Sequence, residues 1–174
     1  MKYNPKYHHR KSIRLKEYDY TNPNWYYITI CTYNKKDVFG DVKYGKMILN
    51  NYGKIVDEEW IKTKEIRKNI DLDDYVIMPN HFHGIIIINS SVGATRRIAP
   101  TKKGITLQAG SLGAIIGQFK SKVTKRIRSS GLENYKWQRN YYEHIIRNEQ
   151  DLYRIRTYIQ NNPLRWELDE YYLK

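Results

Sequence analysis

Ile85-Ile86-Ile87-Ile88 is the feature that most narrows the fold. Four β-branched residues without a break lose side-chain freedom in a helix and read instead as a central, buried strand. Directly before them stands Met78-Pro79-Asn80-His81-Phe82-His83-Gly84. Successive side chains on a strand alternate between its faces, so His81 and His83 project side by side while Phe82 points away toward a core. Two imidazoles in that position can grip one metal ion, although the same pair also fits two half-buried polar residues.

The rest of the chain supplies partners for that strand. Residues 25–32 are dense in aromatic and β-branched side chains and read as a first strand after the turn signal Thr21-Asn22-Pro23-Asn24. Residues 38–48, punctuated by Gly40 and Gly45, suggest a hairpin-like excursion. From 50 to 67, Ile55, Val56, Trp60, Ile61 and Ile66 keep helical spacing with charged residues between them, which predicts a first amphipathic helix. Residues 75–78 form a second strand and 81–89 a third, joined by the short break Pro79-Asn80, as an antiparallel hairpin or one bent strand. Leu112, Ile115, Ile116, Phe119, Val123 and Ile127 mark a second helix capped by Ser111. Residues 137–146 give a fourth strand, and Asn148 caps a third helix that Pro163 stops. This order predicts an α+β fold: a ferredoxin-like, split βαβ antiparallel sheet with helices on one face and an added C-terminal helix.

With 174 residues, one domain (1–174) is expected, with a basic N-terminal arm at about 1–20. The net charge of +13 points to a polyanionic partner, nucleic acid being the commonest. The charge is also uneven. Between Tyr75 and Leu132 there is no Asp or Glu, yet Arg96, Arg97, Lys102, Lys103, Lys120, Lys122, Lys125, Arg126 and Arg128 fall there. A solvated face would mix signs, so this window reads as an anion-binding surface. The single Cys31 cannot form an internal disulfide, and no apolar run reaches membrane-spanning length, so a soluble, cytoplasmic protein is expected.

On the third helix Tyr158 and Asn162 lie four apart and so share a face. If the apolar stripe of that helix packs on the sheet, both reach the rim where His81 and His83 emerge. Tyr153 lies about 140° around the helix from Tyr158 and is no second candidate.

Met78-Pro79-Asn80-His81-Phe82-His83 together with Tyr158-Ile159-Gln160-Asn161-Asn162-Pro163 resembles the single-tyrosine transposases of the HUH superfamily. Closer still, the sequence is similar to the REP-associated tyrosine transposase group. Ser12 to Lys16, Thr29 to Thr32, Gly93 to Arg97 and Trp137 to Arg147 also look like that group, so the likeness covers nearly the whole chain. The resemblance implies a DNA strand-cleaving site in which His81 and His83 bind a divalent metal, Asn162 completes the ligand set and Tyr158 is the nucleophile. Cleavage would leave a 5′-phosphotyrosine and a free 3′-hydroxyl. An amide oxygen among the ligands favours Mg²⁺ or Mn²⁺, with Zn²⁺ as an alternative that imidazole pairs also suit. The expected partner is single-stranded DNA with hairpin structure, gripped by Arg96, Arg97, Lys120, Lys122, Lys125, Arg126 and Arg128, and the protein acts as a monomer or homodimer. His144 falls in a matching segment without an assigned role. Two other classes stay open at this point: a non-catalytic basic nucleic-acid-binding protein, and a metallo-phosphoesterase in which water attacks.

Overall fold

The computed structural model describes residues 18–90 and 109–172. The arm as far as residue 17 and the loop cations Arg96 and Arg97 lie outside the described residues. In chain order the elements are β1 (Asn24–Cys31), β2 (Gly40–Lys43), β3 (Lys46–Leu49), α1 (Asn51–Glu65), β4 (Ile70–Ile77), β5 (His81–Ile88), α2 (Leu112–Ser129), β6 (Tyr142–Ile146) and α3 (Glu149–Asn161). A 3₁₀ segment, Pro163–Leu168, follows α3.

The sheet runs β4-β5-β1-β6 with every neighbour antiparallel. That is the strand order of the split βαβ fold, with β5 and β1 in the centre and α1 and α2 as the crossovers. Ile85, Ile86 and Ile88 of the isoleucine run are buried and Ile87 is half-buried, as expected of a central strand. The β2–β3 hairpin stands as a separate two-stranded ribbon.

Alternation along β5 divides the molecule. Phe82, Ile86 and Ile88 join the large core made with Ile55, Val56 and Trp60 of α1 and Ile115, Phe119 and Val123 of α2. Trp60 is its fully buried centre, 4.7 Å from the Phe82 ring and 5.3 Å from Phe119. Its indole lies against Gly84, where a Cβ would come within 2.8 Å of Phe82 and 3.0 Å of Trp60; glycine is what admits the ring. On the opposite face Tyr27 and Ile85 meet Ile146, Ile155 and Ile159, so α3 covers the side to which the histidines point.

Each helix starts at a side-chain cap. Asn50 accepts from the amides of Tyr52 and Gly53, Ser111 from Ala114, and Asn148 from Asp151. In α3, Glu149 and Asp151 occupy the first turn, where the helix dipole favours carboxylates. Arg156 fixes α3 across the sheet through Asp73, at 2.8 and 2.6 Å, and Gln160 does so through Asp74 at 2.7 Å.

Three boundaries differ from expectation. β4 begins at Ile70, because Asp71 and Asp73, residues that disfavour strands, find Lys64 and Arg156 on neighbouring helices. The last strand is only 142–146, because the pairing with β1 that ends at Thr29 opposite Tyr142 does not continue in register to Trp137, which touches Thr32 through an isolated bridge. Pro163 ends α3 yet opens the 3₁₀ segment, whose Trp166 is buried. That last turn decides the composition of the site.

Candidate active site

His81 and His83 leave the same face of β5 with their ring centroids 4.5 Å apart, and both are buried. Asn80, fully buried before the strand, donates both amide hydrogens to backbone carbonyls, of Lys35 at 3.1 Å and Tyr171 at 2.9 Å. Its Oδ1 is therefore an acceptor, and the partner 2.8 Å away is His81 Nδ1, which must carry the hydrogen. The lone pair of His81 is thus on Nε2, and that atom is buried without a hydrogen-bond partner. His83 is held from behind in the same way: Nδ1 lies 2.7 Å from the Tyr27 hydroxyl and 2.8 Å from that of Thr29. Because Thr29 donates to Tyr27, its lone pair faces an N–H on His83 Nδ1 and leaves His83 Nε2 as the acceptor.

α3 closes the site. Tyr158 brings its hydroxyl to 3.4 Å from His83 Nε2, and Asn162 is buried with Oδ1 unpartnered. The 3₁₀ turn adds Asp169, which the sequence analysis missed. Its Oδ2 accepts from Asn162 Nδ2 at 2.9 Å and from the Tyr158 hydroxyl at 3.2 Å. The ligand atoms of His81, His83 and Asp169 all lie within 4.8 Å of one another, a spacing that can hold a metal ion. Asp169 has no motif around it. It arrives through Trp166, whose ring lies 5.8 Å from that of His81.

The electrostatics favour neutral imidazoles. Burial pushes His81 down to about 4, against the pull of the Asp169 charge, and pushes His83 well below its ordinary value, with His81 adding to the effect. Neutral imidazole is the form that ligates metals. The Tyr158 phenol is pushed up, first by burial and then by the Asp169 carboxylate beside it, so ionising it requires added positive charge. Two unpartnered buried atoms, His81 Nε2 and Asn162 Oδ1, together with a carboxylate, are the donor chemistry that a divalent cation satisfies. Tyr153 is 73% exposed, away from this group.

The expected DNA-binding residues of α2 divide. Lys122 and Lys125 are exposed, and so is Arg128, although its Nε and Nη2 donate to the Tyr135 carbonyl at 3.1 and 3.0 Å. Arg126 faces α1 instead, paired with Glu58 at 2.7 Å and Glu59 at 2.8 Å. The Lys120 ammonium donates to the carbonyls of Gln138 and Arg139, at 2.6 and 3.1 Å, and burial lowers its pKa to about 8. A groove of about 680 Å³ runs between α2 and residues 136–139, with Lys125, Arg128, Lys136 and Arg139 along it.

The fold has a counterpart among solved structures. The chain is similar in structure to a REP-associated tyrosine transposase solved bound to a REP hairpin, with a TM-score of 0.62, 17% identity, and 92% of this chain and 77% of that one covered. At that identity the likeness establishes the shared fold. No protein-family model matches the chain. In sequence it is 42% identical over 176 residues to an uncharacterized protein of Haemophilus influenzae, covering 99% of this chain and 98% of that one, and the chain belongs to the family of that protein. Among the described residues no helix is long and apolar enough to cross a membrane.

Proposed function

We propose that the protein is a metal-dependent enzyme that nicks and rejoins single-stranded DNA, a transposase acting through a covalent 5′-phosphotyrosine at Tyr158. What carries this reading is the meeting of five side chains from three separate elements. Tyr158 contacts both His83 and Asp169, and Asp169 holds Asn162, whose Oδ1 is buried unpartnered like the neighbouring His81 Nε2. A purely structural nucleic-acid-binding surface has no use for buried, unsatisfied donor atoms around a phenol, since each costs roughly 1–3 kcal/mol.

His81, His83 and Asn162 would hold the ion, with an Asp169 oxygen as a fourth ligand, and two oxygens among the four favour Mn²⁺ or Mg²⁺. When bound, such an ion supplies Lewis acidity to the phosphate oxygens. The remaining steps belong to the chain. Asp169 accepts the hydrogen bond of the Tyr158 phenol and is placed to take its proton. The phenolic oxygen forms a bond to phosphorus, the bond from phosphorus to the 3′ oxygen breaks, and that oxygen leaves as a 3′-hydroxyl by taking a proton from solvent water. Reversal of the same step joins strands. Phosphates away from the cut rest on Lys122, Lys125 and Arg128, joined by Lys136 and Arg139 of the groove, while Lys120 and Arg126 tie the neighbouring elements together. The hairpin-bearing DNA of the structural relative is the class of substrate proposed.

The test is a covalent adduct. Incubated with end-labelled, hairpin-bearing single-stranded DNA and Mn²⁺ and then denatured, the protein should carry label from the strand whose 5′ end it holds, at a peptide containing Tyr158. Strand cleavage without any adduct would assign the reaction to water, and absence of cleavage would reject the enzyme.

A further inference from the structure

Tyr158 separates two hollows. One, of about 390 Å³, is lined by Tyr27, His83, Tyr142, His144, Tyr158 and Tyr171, among others. The other, of about 460 Å³, includes Thr157, Asn161, Asn162, Arg165 and Asp169. Tyr158 and Arg154 border both. A strand whose phosphate lies on the Tyr158 hydroxyl meets one hollow on each side.

The two sides differ in chemistry. The first is walled by rings: Tyr27 stacks on His83 with centroids 5.6 Å apart and planes 23° apart. Tyr142 and Tyr158 both stand edge-on to Tyr27, at 6.3 and 6.5 Å. Tyr142 is nonetheless 50% exposed, an aromatic surface left to water beside the nucleophile. Polar groups are placed at its rim. Asp151 holds His144 Nε2 at 2.7 Å and Arg154 at 2.7 Å, so the first turns of α3 fix both beside the rings. This contrasts with the cation-lined groove on α2, which suits phosphates. Cavities for small ligands run from roughly 300 to 1,000 Å³ and are mostly apolar with a few fixed polar groups, and this one lies at the lower end of that range. It has room for one base and not for a duplex.

The geometry points to a nucleobase-binding pocket: one base bordering the scissile phosphate stacks on Tyr142, with His144 facing its edge. Every base offers a π-face, so the ring supplies affinity, and the held imidazole supplies choice among bases. Tyr142 and His144 are thus specificity-determining residues of the cleavage site, an inference that rests on the strand-cleaving reading above.

The experiment has two stages. Wild-type protein and Mn²⁺ are mixed with a hairpin-bearing single-stranded pool randomised around the expected cut, and strands covalently held by protein are sequenced. An oligonucleotide of the recovered sequence then carries 2-aminopurine at one or the other position bordering the cut, and is bound to the Tyr158→Phe protein, which keeps the ring. The expected result is a several-fold drop in fluorescence at one position. In Tyr142→Ala/Tyr158→Phe that drop disappears and affinity falls about fivefold or more, whereas Tyr142→Phe/Tyr158→Phe retains both. The Tyr142 ring is half exposed, so its loss leaves the core intact. Quenching at neither position, or equal quenching without the Tyr142 ring, overturns the pocket while covalent cleavage by wild type still stands. A wild-type protein that captures no strand removes the strand-cleaving reading and the pocket together.

Discussion

The Tyr158 hydroxyl stands 3.4 Å from His83 Nε2, although 75 residues separate the two in the chain. One sits on the helix covering the sheet and the other at the start of a central strand. Tyr158→Phe deletes only the oxygen that would attack, and at 41% exposure the ring adds little to the core. Adduct formation should vanish while DNA and Mn²⁺ affinities remain within about twofold, and Tyr153→Phe should react normally. Gel analysis of labelled DNA after denaturation checks both, and an adduct persisting in Tyr158→Phe would move the nucleophile elsewhere.

Metal affinity separates ligands from neighbours. Calorimetric titration with Mn²⁺ should show one site per chain, abolished by His81→Ala and strongly weakened by Asn162→Ala and by Asp169→Asn. If Asp169→Asn binds Mn²⁺ as wild type does, the carboxylate serves the Tyr158 proton alone and the ligand set is the three residues of the two motifs.

Asn80 sets the tautomer of His81 because its own amide hydrogens are committed to Lys35 and Tyr171. Asn80→Ala removes the acceptor behind Nδ1 and frees the proton to move to Nε2, where it blocks the lone pair. Loss of such an outer partner typically costs about 10–100-fold in metal affinity. Asn80→Asp retains the acceptor behind Nδ1 but turns its second oxygen on the Lys35 and Tyr171 carbonyls, so it should recover part of the Mn²⁺ binding that Asn80→Ala loses, which a merely space-filling role would not predict. Equal titration curves for Asn80→Ala and wild type would sink the assignment.

Exposed and engaged cations on α2 should respond differently to salt. Lys125→Gln removes a groove cation and should lower the slope of log affinity against log salt by roughly one unit. Arg126→Gln breaks the contacts to Glu58 and Glu59 and should leave that slope nearly unchanged, while lowering stability by about 1 kcal/mol or less, as expected of partly exposed pairs. Binding isotherms at several salt concentrations, with thermal melts of both proteins, decide this; a full unit lost with Arg126→Gln would return that residue to the DNA surface.

How much of this was readable in advance depends on how local each signal is. The isoleucine run, the caps at Ser111 and Asn148 and the alternation of His81, Phe82 and His83 are written in neighbouring residues, and the structure follows them. Ile70 to Asp74 resisted reading because three aspartates override strand propensity until Lys64 of α1 and Arg156 and Gln160 of α3 pair with them. Arg126 looked like its neighbours because α2 has one period for every face, and only the packing of α2 on α1 reveals that Glu58 and Glu59 lie opposite it. Asp169 was invisible for a related reason: Pro163 signals an end to the helix, whereas the burial of Trp166 that folds the chain back is a tertiary event.

Burial of two neutral imidazoles also fixes how stability depends on acid. His81 titrates near 4 in the folded protein and His83 is likewise depressed, whereas an unfolded histidine titrates near 6.5. Above that value neither state binds the protons, so the two histidines leave stability independent of pH. As pH falls below about 6.5 the unfolded chain takes them up first, and the folded state loses stability with a slope approaching about 1.4 kcal/mol per pH unit for each imidazole. For His81 the loss levels off once pH passes below about 4. Urea denaturation in a chelator at intervals from pH 7.5 to 4.5 measures this directly. Comparison with His81→Gln/His83→Gln cancels carboxylates and other histidines common to both proteins. The wild-type curve should fall more steeply than that of the double variant between pH 6.5 and 4.5, and the two should run parallel above pH 7. Parallel curves throughout would mean that the imidazoles are hydrated or charged in the folded state, and the buried, ligand-ready pair would have to be abandoned.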